Sequence, residues 1–193
     1  MAKAPKGSLG FKKIIKTFAG NDQLLWISLI FLIQQIGNGF VLGGIGSTYI
    51  YLHYGYEGGL YSLFSTVGVA ATAFLMLFYP TISKRINRKP LMNLMVIISA
   101  VGYVLMILSR LIPAAGFFLL TVGYMISNFG LYSYYLIMMI SIINTVEYNE
   151  YKTGERNEAI IASARPLITK MSSALVVVMT TASYMIFGVT NYT

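Results

Sequence analysis

Five apolar runs, each long enough to cross a bilayer, constrain this chain more than any other feature. They extend over about Leu24–Leu52, Leu60–Tyr79, Leu91–Ser109, Ala114–Ile143 and Ala159–Val189. A helix needs about 20 apolar residues to cross a ~30 Å hydrocarbon core, and each run is of that order. A membrane β-barrel would show segments of about 10 residues with alternating polarity. These runs do not alternate. The expected fold is therefore all-α, a polytopic membrane protein with five transmembrane helices. Composition agrees. Of the 193 residues, 56% are hydrophobic and 10% are charged, where a soluble domain carries roughly 25% charged residues. Too few charges remain to cover a soluble surface.

The same composition excludes much chemistry. Cysteine is absent and His53 is the single histidine. Disulfides, thiolate metal sites and cysteine nucleophiles are ruled out. No catalytic residue, metal site or cofactor is expected. The net charge of +8 first suggests nucleic acid as a partner. That reading fails because the positive charges lie between the apolar runs, where they fit loops facing the anionic side of a membrane. The lipid bilayer is the expected partner, and nucleic acid is not.

The loops orient the chain. The first twenty residues hold Lys3, Lys6, Lys12, Lys13 and Lys16 without an acid. They lack the short apolar core and cleavage site of a signal peptide, and an amphipathic helix on the bilayer surface fits part of them. Lys84, Arg85, Arg88 and Lys89 follow the second run, and Lys152 and Arg156 follow the fourth. Together these residues make eleven of the 14 basic residues, all on loops of the same side. The opposite side holds Arg110 alone. The positive-inside rule places the N-terminus in the cytoplasm.

Tyr49, Tyr51, Tyr54, Tyr56 and His53 cluster at one end of the first run, with Trp26 at the other, as interfacial aromatic belts do; sugar stacking is the competing reading of the aromatic residues. Gly116, Gly123 and Gly130 recur every seven residues, so they share a helix face that another helix can approach closely. The first run is also rich in glycine, from Gly37 to Gly46, and its outer half is expected to be weakly helical. The sequon at Asn191 is too short a match to carry weight.

Polar residues concentrate between Asn144 and Lys170, in NTVEYNEYKTGERNEAIIASARPLITK. Glu150 and Glu155 read as an ordinary solvated loop. Arg165 and Lys170 do not, because their flanks are apolar. A charge inside a span costs about 3 kcal/mol on insertion scales and usually faces a cavity or an opposite charge. Lys170 lies 11 residues beyond Ala159, roughly 16 Å into the span at ~1.5 Å per residue. Pro166 follows Arg165 directly and is expected to free the carbonyl of Ala162. Irregular backbone at that depth is tolerated against protein or a water-filled cavity. Charge, proline and depth point to a helix lining a transport pathway. A structural ion pair with another helix is the competing reading of Lys170.

The stretch NTVEYNEYKTGERNEAIIASARPLITKMSSAL resembles the signature of the glycoside–pentoside–hexuronide:cation symporters of the major facilitator superfamily. That signature reads approximately D-x-V-E-Y-G-x-x-K-T-G-x-R-x-E, followed by a helix with a lysine before small residues. The closest likeness is to Gram-positive lactose and raffinose permeases, which share S-x-R-P-L at this helix. The early GNDQLLW is similar to the start of their seventh helix. Three positions depart from the pattern. Asn144 stands where an acid is usual, Asn149 where glycine is usual, and Glu155 where lactose permeases often carry a histidine implicated in proton coupling.

The resemblance implies five helices matching helices seven to eleven of a twelve-helix fold, preceded by a basic cytoplasmic linker over residues 1–23. Residues 24–190 would form an incomplete C-terminal transmembrane half-domain. The implied function is carriage of a glycoside, expected to be a galactoside such as lactose or raffinose, across the plasma membrane. A coupling cation, proton or sodium, would drive it by alternating access. Lys152 and Glu158 match positions that matter for transport in the family. Lys170 matches the helix-eleven lysine of melibiose permeases, which belongs to their charged cation and sugar site. With Arg165 and Glu147, these are the candidate pathway residues. The N-terminal half, which holds the cation-binding acids in the family, is the implied partner, and the chain alone is expected to be inactive. It would be a fragment of a longer sequence or a truncated gene product. Two other classes compete. One is a membrane-bound enzyme using the Glu147–Glu158 loop, which lacks a metal set or a nucleophile–base pair. The other is a non-transporting interaction or regulatory protein made by a truncated gene.

Overall fold

The computed structural model describes residues 11–41, 48, 50–51, 58–112 and 115–188. Tyr49, His53, Tyr54, Tyr56, Gly43, Gly44, Gly46 and Asn191 lie outside the described residues. Among the described residues the secondary structure is helical, with no strand. The elements are α1 (Phe11–Gly20), α2 (Asp22–Asn38), α3 (Gly58–Met76), α4 (Tyr79–Arg85), α5 (Arg88–Leu108), α6 (Gly116–Thr153), α7 (Glu158–Ala162) and α8 (Ala164–Ile186). Five stretches are long and apolar enough to cross a membrane: Asp22–Val41, Gly59–Met76, Arg88–Leu108, Gly116–Thr153 and Glu158–Ile186. Large apolar residues are exposed on each of them, as lipid contact requires. Trp26, Ile33, Phe74, Ile107, Phe118 and Val177 are all largely exposed.

The chain forms two compact units. The first joins Met1–Ile36 with Met138–Leu175. Its apolar interior includes Leu24, Phe31, Met138, Ile142, Val146, Ile160, Ile161 and Ile168. Helix α1 packs against α7. Asn21, wholly buried, fastens this unit. Its Oδ1 accepts from the Leu24 amide at 2.9 Å and so caps α2. Its Nδ2 donates to the Thr145 carbonyl of α6 at 3.0 Å.

The second unit joins Gly37–Ile137 with Val176–Thr193. Tyr79, Leu91, Met95, Phe129 and Ile137 form one buried cluster, and Ile50, Phe64 and Leu120 form another. Helices α5 and α6 meet backbone to backbone. A Cβ on Gly123 would sit 2.7 Å from the Gly102 carbonyl oxygen, and one on Gly130 would sit 2.6 Å from that of Met95. Two glycines of the seven-residue repeat thus make the close approach expected of them. The run expected to continue to Tyr79 divides instead. Helix α3 ends at Met76, and Pro80 opens the short α4 at a position where a helix has no use for a proline N–H.

Two further elements depart from the sequence expectation. Helix α6 continues through the segment read as a loop and stops only at Thr153. Polarity does not end a helix. Gly154 does, at φ 71°, a left-handed conformation that glycine adopts readily. At Pro166 the break falls earlier than the proline itself. Helix α7 ends at Ala162 and α8 begins at Ala164, so Pro166 lies in the first turn of α8 and interrupts no established ladder.

Candidate transport-pathway residues

The charged end of the first unit is assembled from the start of α2, the end of α6, the turn after Gly154 and the start of α7. Asp22 is the first residue of α2, where the helix dipole favours a carboxylate. Lys152 Nζ lies 2.5 Å from Asp22 Oδ1. The Tyr148 hydroxyl donates to the same oxygen at 2.9 Å, and the Lys152 ammonium sits 5.6 Å from the centre of the Tyr148 ring. One carboxylate thereby ties the start of the first span to the last turn of the fourth.

The turn is built around Asn149, which is 1% exposed. Its Nδ2 donates to the Glu155 carbonyl at 2.6 Å and to Thr153 Oγ1 at 3.3 Å. Thr153 Oγ1 donates in turn to the Asn149 carbonyl at 2.7 Å. Arg156 bridges the turn and α7. Its Nη1 lies 3.1 Å from Glu150 Oε2, and its Nε lies 3.5 Å from Glu158 Oε2. Glu155 accepts from Asn157 Nδ2 at 3.1 Å and pairs with Lys13 of α1 at 3.5 Å. The Asn157 hydrogen bond, and then the Lys13 charge, hold the Glu155 carboxyl below the ordinary glutamate range.

The candidate residues are not gathered into one cluster. Lys152 and Glu158 both belong to the charged end, through different partners. Glu147 is exposed on α6 and makes no ion pair among the described residues. Arg165 and Lys170 lie on α8, both exposed. They are five residues apart, or ~140° around the helix. Ala164, Ile168 and Ser172 make the buried stripe of α8, and Lys170 projects from the opposite side. Next to it runs a hydroxyl ladder. Thr169 Oγ1 donates to the Arg165 carbonyl at 3.0 Å, and Ser173 Oγ donates to that of Thr169 at 2.9 Å. Lys170 forms no ion pair among the described residues. No group of three or more residues there could hold a metal ion.

Asp22, Lys13 and Asn21 join this end of the unit without being among the candidate pathway residues. GNDQLLW, read only for its likeness to the start of a helix, contains Asp22. Its partner is 130 residues away, and sequence spacing does not show such a pairing.

A family model described as MFS/sugar transport protein matches residues 2–192. The chain belongs to this family. Among curated proteins, a lactose permease from Leuconostoc lactis is 29% identical over 84% of this chain and 24% of the relative's own length. A raffinose carrier protein from Pediococcus pentosaceus is 25% identical over 90% of the chain and 26% of its own length. A lactose permease from Lactobacillus delbrueckii subsp. bulgaricus is 28% identical over 85% and 25% respectively. The chain thus spans about a quarter of the length of these relatives. The chain is a multi-pass membrane protein, and a charged turn joins the fourth and fifth of its apolar spans.

Proposed function

We propose that this chain is part of the C-terminal half of a plasma-membrane symporter that carries a glycoside together with a cation. The observation that carries the reading is the polar face of α8. Arg165, Thr169, Lys170 and Ser173 stand on a span that also exposes Leu167, Met171, Leu175, Val177 and Val178. A lysine facing lipid at that depth would cost about 3 kcal/mol, so this face is assigned to a hydrated pathway. A galactoside is the proposed substrate, in keeping with the names of the lactose and raffinose relatives. The coupling ion is a proton or sodium.

In this reading the sugar binds near the midplane, between this half and an N-terminal half of six helices. Rocking of the halves exposes the site to each side in turn. The acid that balances Lys170 comes from that N-terminal half, because Glu147 and Glu158 lie near the charged end rather than at depth. The N-terminus is cytoplasmic. Lys152, Glu158 and Glu147 serve at the cytoplasmic rim, and Arg165 lies between them and Lys170 along the chain.

The test is paired measurement of surface expression and sugar accumulation in the full-length parent. Lys170→Ala should abolish uphill accumulation and leave insertion intact. Normal accumulation would move the pathway away from Lys170.

A further inference from the structure

We propose that α1 is an anionic-lipid binding element: a short basic helix that lies on the membrane surface and gathers acidic headgroups beside the first span. The argument rests on its placement and on its two faces. Helix α1 has 10 residues, or ~15 Å at ~1.5 Å per residue, too short to cross. It is joined to α2 by Asn21 alone. Because α2 opens a membrane span, α1 is fixed at the level of the headgroups.

One face of α1 is already occupied. Thr17 is buried, Ile14 and Phe18 are partly buried, and the helix packs on α7. Lys13 is committed to Glu155 at 3.5 Å. The other face is not covered by the first unit. Ile15 is 53% exposed, and Lys16 and Ala19 are exposed beside it. Lys12 precedes Lys16 by one helical turn in sequence, and α1 contains no acid. An exposed apolar residue beside an exposed lysine, on a basic helix without an acid, suits one occupant at headgroup level, an anionic leaflet. The isoleucine enters the acyl boundary while the ammonium groups meet phosphates. Trp26 continues the arrangement into the bilayer. It is 65% exposed and lies ~6 Å beyond Asp22 along α2.

Trp26 is the single tryptophan of the chain, so it reports on its own lipid neighbours. The full chain is reconstituted in phosphatidylcholine vesicles containing phosphatidylglycerol, with bromine carried on the acyl chains of one lipid at a time. Each lysine near an anionic surface raises the local preference by about fivefold. Brominated phosphatidylglycerol should therefore quench Trp26 at least about twofold more than brominated phosphatidylcholine at equal mole fraction. The ratio should fall to unity in Lys12→Gln/Lys16→Gln and at ~1 M salt. It should persist in Lys84→Gln/Lys89→Gln. Equal quenching by the two lipids in the wild-type chain overturns the proposal and assigns the face to protein. Preference retained in Lys12→Gln/Lys16→Gln also overturns it. If that variant fails to insert, the salt titration of the wild-type chain decides.

Discussion

At Asn149, where the resembling symporters carry glycine, a buried carboxamide holds the turn that follows α6. Replacing it with alanine leaves the Glu155 carbonyl without its 2.6 Å donor. Asn149→Ala should cost about 1–3 kcal/mol, seen as a lower melting temperature in detergent and faster trypsin cleavage after Arg156. Glu155 adds a pH-dependent tie. Its carboxyl is held below the ordinary range by Asn157 and then by Lys13. A depressed carboxylate stabilises the folded state above its unfolded pKa and loses that contribution as pH falls through the folded one. Melting temperatures of the wild type and Glu155→Gln should therefore differ near neutral pH and converge once pH drops below the ordinary glutamate range. A gap that widens on acidification would contradict the Lys13–Glu155 pairing. The gap should be small, because the pair is exposed.

Among the elements, the contact between α5 and α6 makes the sharpest demand. The atoms facing Gly123 and Gly130 include backbone oxygens, which cannot swing aside as a flexible side chain would. Gly130→Ala should destabilise the second unit by about 1–3 kcal/mol, whereas Gly59→Ala, with open space around it, should be nearly neutral. Thermal unfolding of the two variants in the same detergent makes the comparison. The spans were legible in the sequence because apolar length is a direct consequence of bilayer thickness. The end of α6 was not. Tyr148, Asn149 and Lys152 look like loop residues by polarity, yet they project from the last turns of a helix that only Gly154 stops. The turn's chemistry was visible as a motif. Asp22 was hidden, because a pairing across 130 residues leaves no periodic trace in the chain.

For the whole molecule, the basic loops predict orientation. Asn87 and Leu111 flank α5 at its two ends. In intact cells, an impermeant thiol reagent should label Leu111→Cys and leave Asn87→Cys unlabelled, with no native cysteine to interfere. The reverse pattern would invert the topology. Spacing placed Lys170 well inside an apolar run, but the polar face around it depends on which stripe of α8 is buried. The division into two units has a consequence in time. The first unit is discontinuous: Met138–Leu175 must reach Met1–Ile36 after the second unit's main segment has been made. Asn21 and Thr145 are separated by 124 residues. At about 5–20 residues per second, the first span waits roughly 6–25 seconds in the bilayer before the carbonyl its cap residue will hold has been synthesised. During that interval Leu24 and Phe31, wholly buried in the finished unit, have only lipid or the insertion machinery to face.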